Sequence, residues 1–228
     1  EVYAIYYDGS VSKIDNYKIK STTILKKEEN NITVGLTNEL GNNIENNVNV
    51  KAEQNIIYVG DSRIKELKTY NGSEEFRKYG EKEDKCYYIY SDNANLKWFT
   101  EDGKNQVQSI LDKNPYTTFR IVISLGMFDF DKIVDYLSTY ENLAKTTWKK
   151  QRLYIDSINP IDEEKMEKAG KYSRININTT KINDFNKQLN QSIANYNLTN
   201  LKYINTYGEL TNTGFETTNG INYTNDTY

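Results

Sequence analysis

The sequence contains no histidine among its 228 residues. Imidazole exchanges protons near neutral pH, serves as the base in Ser-His-Asp and Cys-His catalytic groups, and is a common metal ligand. All of those groups are therefore excluded within this chain. A nucleophilic serine here would need another proton acceptor.

Cysteine, proline and long apolar runs are also scarce. The single cysteine, Cys86, excludes an internal disulfide and a Cys-rich zinc site. Only 37% of the residues are hydrophobic, and no uncharged apolar run approaches the roughly 18 residues of a membrane span. The 29 Lys and Arg residues are interspersed with 32 Asp and Glu residues. The chain therefore has no basic stripe to follow a phosphate backbone, and we expect no nucleic-acid partner.

Residues 1–55 have the pattern of a small β-rich N-terminal extension. Residues 2–7 and 11–14, joined by a turn at Asp8-Gly9, predict a β-hairpin. Two further short strands are predicted at 32–36 and 48–50, and the Asn-rich stretch 38–47 between them predicts a loop. Because the chain starts at Glu1 rather than Met, we expect that an upstream segment has been removed.

An alternation of strands and helices begins at residue 56. Five short apolar runs predict strands at 56–59, 86–90, 119–125, 152–158 and 201–205. Strands that are apolar on both faces are typical of parallel sheets, and apolar residues at helical spacing lie between these runs. We therefore predict an α/β domain over residues 56–228, built as a three-layer sandwich around a five-stranded parallel sheet.

The segments that follow the predicted strands are the candidate functional sites, because open parallel sheets bind ligands beyond the carboxyl ends of their strands. The first strand is followed by Gly60-Asp61-Ser62. Three later segments are also distinctive: residues 124–129 (SLGMFD), 157–160 (SINP) and 214–223 (GFETTNGINY).

As an ordered set, these segments resemble motifs of the SGNH/GDSL hydrolase family. They are similar to its Gly-Asp-Ser nucleophile block, its Gly-x-Asn-Asp block, its Ser-x-Asn-Pro segment and its Asp-Gly-x-His-Tyr block. The resemblance covers residues 56–228, about three quarters of the chain. It implies a flavodoxin-like sheet of order 2-1-3-4-5 and a serine nucleophile at Ser62.

Most of the other catalytic positions that the resemblance implies hold different residues. The oxyanion Asn position falls on Phe128, and the oxyanion Gly position falls near Asn93. The Asp and His positions of the last block fall on Asn219 and Asn222. Only Ser62 is retained, so the sequence resembles a degenerate member of the family that lacks most catalytic residues.

Two hypotheses are open for Ser62, and alternatives are open for two neighbours of the site. Ser62 is either a residual nucleophile with an unconventional base, such as Glu216 or Asp226, or a polar cap of the following helix, which we favour. Arg63 could bind an anion at the cleft, or be solvated. Trp98 could stack on a sugar or acyl chain at the mouth of the cleft, or pack in the core.

We predict a catalytically inactive SGNH-hydrolase-like module that serves binding or assembly at a bacterial surface, with a cell-surface glycan or a surface-assembly protein as partner and no cofactor or metal. The alternative is an unconventional serine esterase or acyltransferase that acts on acylated cell-surface glycans through Ser62. A third hypothesis assigns binding to the N-terminal β region. Extracellular placement follows from the resemblance, the missing initial Met and the polar composition.

Overall fold

The structure is a computed structural model that describes residues 2–5, 9–19, 29–37, 41–51, 55–71, 85–115, 117–170 and 177–227. The chain divides into two units, residues 1–54 and residues 55–228. Within the described ranges, no helix combines the length and the apolar character that crossing a bilayer requires.

The N-terminal unit contains two small antiparallel sheets. In the first, β1 (Val2–Ile5) pairs with β2 (Val11–Ile14), as the predicted hairpin requires; Tyr6, Tyr7 and Asp8 lie outside the described residues. The second sheet consists of β3 (Lys18–Ile19), β4 (Glu29–Thr37) and β5 (Asn43–Lys51), with β4 in the centre.

The predicted Asn-rich loop at 38–47 is wrong for residues 43–47, which form the first half of β5. These asparagines pair with β4 in register, Asn43 opposite Thr37 and Asn47 opposite Thr33. In both pairs the threonine hydroxyl donates to the asparagine side-chain oxygen at 2.9 Å. Cross-strand side-chain hydrogen bonds therefore stabilise a strand that has little apolar surface to bury.

The second unit is built around five parallel strands, in the predicted order. They are β6 (Asn55–Gly60), β7 (Lys85–Tyr90), β8 (Arg120–Ser124), β9 (Arg152–Asp156) and β10 (Leu201–Ile204). The order across the sheet is β10-β9-β8-β6-β7, and every neighbouring pair is parallel. The predicted order 2-1-3-4-5 is therefore confirmed, and the chain order reverses direction at β6.

Helices flank the sheet. They are α1 (Ser62–Asn71), α2 (Leu96–Trp98), which continues through a π-helical turn (Phe99–Gly103) into α3 (Lys104–Lys113), α4 (Ile133–Lys145), α5 (Glu163–Lys168), α6 (Thr179–Asn195) and α7 (Thr206–Thr213). The predicted three-layer α/β architecture is confirmed.

Short polar side chains begin four of these helices. Asn95, Asp162, Asn178 and Asn205 each accept a hydrogen bond from a backbone N–H in the first turn of the helix that follows. Such caps satisfy N–H groups that have no partner within the helix. Part of the abundant asparagine therefore fixes where helices begin.

The hydrophobic core lies on one face of the parallel sheet. Ile57, Val59, Ile121 and Ile123 have no exposed surface, and they share this core with buried side chains of α3, α4 and α6. The opposite face carries Tyr58, Val122 and Ser124, which are only half-buried. One face therefore stabilises the fold, and the other is open to a second site described below.

Candidate active site

The turn from β6 into α1 carries the Gly60-Asp61-Ser62 motif. A β-carbon on Gly60 would lie 2.6 Å from both the Ser124 carbonyl oxygen and Ile64 Cγ1. Real β-carbons essentially never approach other atoms so closely. Glycine is therefore required where the end of β6 passes β8 and the first turn of α1.

Asp61, rather than Ser62, caps α1. Its Oδ1 accepts the backbone N–H of Arg63 at 2.9 Å, and its two carboxylate oxygens receive Arg63 Nε at 3.1 Å and Nη2 at 2.9 Å. Both side chains are buried, with relative exposures of 1% for Asp61 and 6% for Arg63. Ser62 is the first helical residue, so the capping role that we favoured for Ser62 belongs to its neighbour.

Ser62 contacts Asn222 across the carboxyl end of the sheet. The Ser62 hydroxyl donates to Asn222 Oδ1 at 3.4 Å, which is longer than the roughly 2.7 Å typical of a hydroxyl donor. The resemblance places the family's histidine at residue 222. The structure therefore brings the position of the implied base to the position of the implied nucleophile.

Asn219 orders the loop that carries Asn222. Its side-chain oxygen accepts the backbone N–H groups of Ile221 and Asn222, each at 3.1 Å. The loop is closed further by a hydrogen bond from Thr218 N to the Asn222 carbonyl at 2.7 Å. Asn219 thus positions Asn222 through its backbone.

The two positions implied for the oxyanion site lie beside Ser62. Asn93 follows β7 in an exposed turn, and Phe128 follows β8, half-buried against the core. Ser62, Asn93, Phe128 and Asn222 all line one cleft of about 400 Å³. Four residues that are far apart in the sequence are therefore brought together, and Asn219 lies in the same loop as Asn222.

Several titratable side chains also line the Ser62 cleft. Lys65, one turn after Ser62 on α1, forms an ion pair with Asp92 (Nζ to Oδ1, 3.3 Å), and Glu66 lies beside it. The ion pair is exposed, so it contributes at most about 1 kcal/mol. Glu216 and Asp226, which we considered as bases, are not among the described residues that line this cleft.

Lys65 was missed by the sequence reasoning, although a signal for it was present. Ser62-Arg63-Ile64-Lys65 has the Ser-x-x-Lys spacing, which places the two side chains one helical turn apart. In some serine acyl-transfer enzymes of other folds, a lysine at that spacing works with the serine. The spacing gains weight here because both residues line the same cleft.

Arg63 and Trp98 do not lie among the described residues that line the Ser62 cleft. Arg63 is engaged with Asp61 and faces a different pocket. Trp98 is half-buried and packs against the hydrophobic core and against Gly103. For Trp98, core packing was one of the alternatives named above, and the geometry agrees with it.

A carboxylate next to Phe128 is occupied by structural contacts. Asp129 Oδ2 accepts the Leu96 N–H at 2.8 Å, and its Oδ1 accepts the Tyr136 hydroxyl at 2.7 Å. Burial raises the pKa of Tyr136 above its usual range, and Tyr140 and Asp129 raise it further, so the phenol stays protonated. In the described part of the chain, no group of three or more Asp, Glu or Cys residues has the arrangement to hold a metal ion.

The geometry has clear chemical consequences. An amide oxygen accepts a hydrogen bond but does not take up a proton near neutral pH, so Asn222 cannot serve as a base for Ser62. Phe128 has no side-chain donor for a developing oxyanion, and one such donor changes rates by about 10²–10³ in comparable sites. The cleft therefore places Ser62 beside an amide that is not a base and near a side chain that offers no oxyanion donor.

Comparison with known proteins supports the fold and goes no further. No protein-family model matches the chain, and none of the curated proteins does. Among solved structures, one described as an SGNH hydrolase from Slackia heliotrinireducens has a TM-score of 0.55 at 9% identity, covering 77% of this chain and 92% of that one. A member of the lipolytic G-D-S-L family from Veillonella parvula has a TM-score of 0.50 at 14% identity, covering 78% and 92%.

These likenesses place residues 55–228 in the class of SGNH-hydrolase-like α/β folds. The five-stranded parallel sheet of this unit is flanked by helices, and the order of its strands is the one that the motif resemblance implied. At such low identity the likeness shows the fold alone, and function has to be argued from the cleft itself.

Proposed function

We propose that this protein is a catalytically inactive SGNH-hydrolase-like module that binds a glycan or a surface-assembly protein at a bacterial surface. The observation that carries the proposal is the contact from Ser62 to the amide of Asn222. The position at which serine chemistry requires a base holds a neutral side chain. The cleft, with a volume of about 400 Å³, is available to bind a ligand.

The composition of the cleft supports binding rather than turnover. Its wall combines amides and hydroxyls, including Asn93 and Thr69, with the apolar side chains Phe128 and Ile221. Hydroxyl groups of sugars bond well to amides and carboxylates, while apolar side chains pack against their C–H faces. A glycan is therefore the partner that this surface fits best.

The proposal includes placement at a cell surface. The polar composition and the motif resemblance to SGNH/GDSL hydrolases agree with an extracellular role. We therefore propose extracellular placement as part of the same function.

A second candidate function is favoured by Lys65. It lines the Ser62 cleft one turn after Ser62, so a serine esterase or acyltransferase with lysine as its base is the alternative. In that mechanism the Lys65 amine, once neutral, takes the Ser62 proton as Ser62 Oγ bonds to the acyl carbon. The substrate's ester C–O bond then breaks, and the lysine proton passes to the leaving alcohol. Water finally hydrolyses the acyl ester on Ser62 and releases the acid. The ion pair with Asp92 opposes this role, since it engages Lys65 Nζ with a carboxylate.

One experiment separates the two functions. Hydrolysis of 4-nitrophenyl acetate and labelling by a fluorophosphonate are measured for the unmodified chain, Ser62→Ala, Lys65→Met and the control Lys113→Met, which changes an exposed lysine at the end of α3. The binding function expects all four proteins to match the buffer rate and to stay unlabelled. Labelling that disappears in Ser62→Ala and in Lys65→Met, but not in Lys113→Met, would establish the enzyme instead.

A further inference from the structure

A second pocket lies on the opposite side of α1 from the Ser62 cleft. It has a volume of about 390 Å³, within the range of small-molecule sites. The N-terminal turns of α1 divide the two spaces, because Ser62, Lys65 and Glu66 line the first while Arg63, Ile64 and Leu67 line the second. We call the second space the Asp156 pocket.

The walls of the Asp156 pocket are largely apolar. Tyr58, Val122 and Ile204 rise from the half-open face of the sheet, and Leu67 and Leu210 approach from α1 and α7. Burying a hydrocarbon chain against such walls contributes about 25 cal/mol for each Å² removed from water. The pocket therefore favours a ligand with an apolar body.

A buried carboxylate lies at the polar end of the pocket. Asp156, only 7% exposed, ends β9 and accepts hydrogen bonds from Ser124 Oγ at 2.8 Å and from Thr206 Oγ1. Burial raises the pKa of Asp156 to about 6, against the lowering effect of these hydroxyls and of Arg63. A carboxylate that loses this much solvation gains strongly from a cation placed beside it.

The charges that line the pocket favour a cation. Arg63 is the one cationic side chain among the described lining residues, and its two-pronged ion pair with the buried Asp61 offsets part of its charge. The other charged side chains among the lining residues are Asp156 and Glu209, and both are acidic. A ligand anion would meet two carboxylates, whereas a ligand cation would be attracted by both.

We propose that the Asp156 pocket binds a small amphipathic amine, with its primary ammonium group at Asp156 and Glu209 and its hydrocarbon body against Leu67, Val122 and Leu210. A primary ammonium has three donors, and the side-chain oxygen of Asn159, which shares Thr206 as a neighbour with Asp156, is a further acceptor at the same end. The site shares none of its described lining residues with the Ser62 cleft. It is therefore independent of the function proposed for that cleft.

The test uses the full chain and three ligands of equal length: n-hexylammonium, hexanol and hexanoate. Binding is followed by titration calorimetry and by backbone amide NMR shifts. A charged hydrogen bond is worth about 1.5–3 kcal/mol, so hexylammonium should bind at least about tenfold more tightly than hexanol, and hexanoate more weakly still. Equal binding of the three, tighter binding of hexanoate, or no binding of hexylammonium at about 10 mM would each overturn the proposal.

Variants locate the site. Asp156→Asn should weaken hexylammonium binding at least about tenfold, and Glu209→Gln should weaken it less, because Glu209 is more exposed. Leu67→Trp should block binding by filling the pocket, which keeps the test valid if Asp156→Asn does not fold. The matched control Glu66→Gln, on the other side of α1, should bind like the unmodified chain. Binding that survives Leu67→Trp, or that falls equally in Glu66→Gln, would contradict the assignment.

Discussion

Ser62 and Asn222 lie 160 positions apart in the chain, and the hydroxyl of the first donates to the amide oxygen of the second at 3.4 Å. A histidine at residue 222 would have its ring close to the serine hydroxyl. The loop that carries residue 222 is held by Asn219 and Thr218 through backbone hydrogen bonds. The backbone of residue 222 is thus held beside Ser62 by contacts that do not involve the Asn222 side chain, so a substitution at residue 222 is a meaningful experiment.

We predict that restoring one catalytic position will not produce an esterase. Asn222→His supplies a base, but the imidazole lacks its carboxylate partner at 219 and the oxyanion lacks its donor at 128. Groups of this kind act as a unit, so the single change should raise 4-nitrophenyl acetate hydrolysis less than about tenfold. The triple variant Asn219→Asp, Asn222→His, Phe128→Asn should exceed it by about 10² or more.

The control for the restored enzyme is the same triple variant with Ser62→Ala, which should return to the buffer rate. Adding Asn93→Gly to the triple variant tests the fourth position. If the triple variant is no faster than its Ser62→Ala form while its circular dichroism is unchanged, the alignment of the last block with the catalytic one is wrong.

A second prediction concerns the turn before Ser62. Gly60→Ala places a methyl group 2.6 Å from the Ser124 carbonyl oxygen and from Ile64, so the free energy of unfolding should fall by about 2–3 kcal/mol. Urea denaturation measures this. Gly170→Ala serves as control, since its φ is +65° but nothing lies within 4 Å of the added carbon; it should lose only about 1 kcal/mol. Equal losses would show that the turn relaxes around the methyl group.

A third prediction concerns the buried pair of Asp61 and Arg63. Asp61→Asn keeps an oxygen for the helix N–H but leaves the Arg63 guanidinium buried beside a neutral group, which should cost about 3–5 kcal/mol. Replacing both, with Asp61→Asn and Arg63→Met, should recover much of that loss, because the isolated charge is removed. A double variant that is no more stable than Asp61→Asn alone would mean that the loss does not come from the unpaired charge of Arg63.

The parallel sheet could be predicted from the sequence because its strands are short, continuous apolar runs. Ile57, Val59, Ile121 and Ile123 are fully buried, and such residues leave a clear pattern. The strand β5 could not be predicted in the same way. Its asparagines are exposed, and the threonines that bond to Asn43 and Asn47 come from the neighbouring strand. Pairing of that kind is tertiary information, which a local pattern does not contain.

The candidate site shows the same division. The order of the motifs was enough to bring Asn93, Phe128 and Asn222 to Ser62. The direction of each side chain on α1 was not available, so Arg63 was considered for the cleft and Lys65 was not. The Asp156 pocket could not be found from the sequence at all. Its carboxylate and its hydroxyl partners come from β8, β9 and α7, and none of them belongs to a recognisable motif.

The last prediction concerns the pH dependence of stability through Asp156. Burial raises the folded-state pKa of this carboxyl from 3.8 to about 6, so between those values the folded chain holds a proton that the unfolded chain has released. The stabilising contribution is complete below about pH 3.8 and is lost as pH rises through about 6. A shift of this size corresponds to roughly 3 kcal/mol. Relative to Asp156→Asn, the unmodified chain should therefore lose about that much free energy of unfolding between pH 4 and pH 7, measured by urea denaturation at each pH.

The control is Asp184→Asn, which changes an exposed aspartate on α6. Its free energy of unfolding should vary with pH as that of the unmodified chain does. If the unmodified chain instead gains stability over Asp156→Asn as pH rises, the Arg63 guanidinium and the two hydroxyls outweigh burial, and Asp156 is ionised throughout.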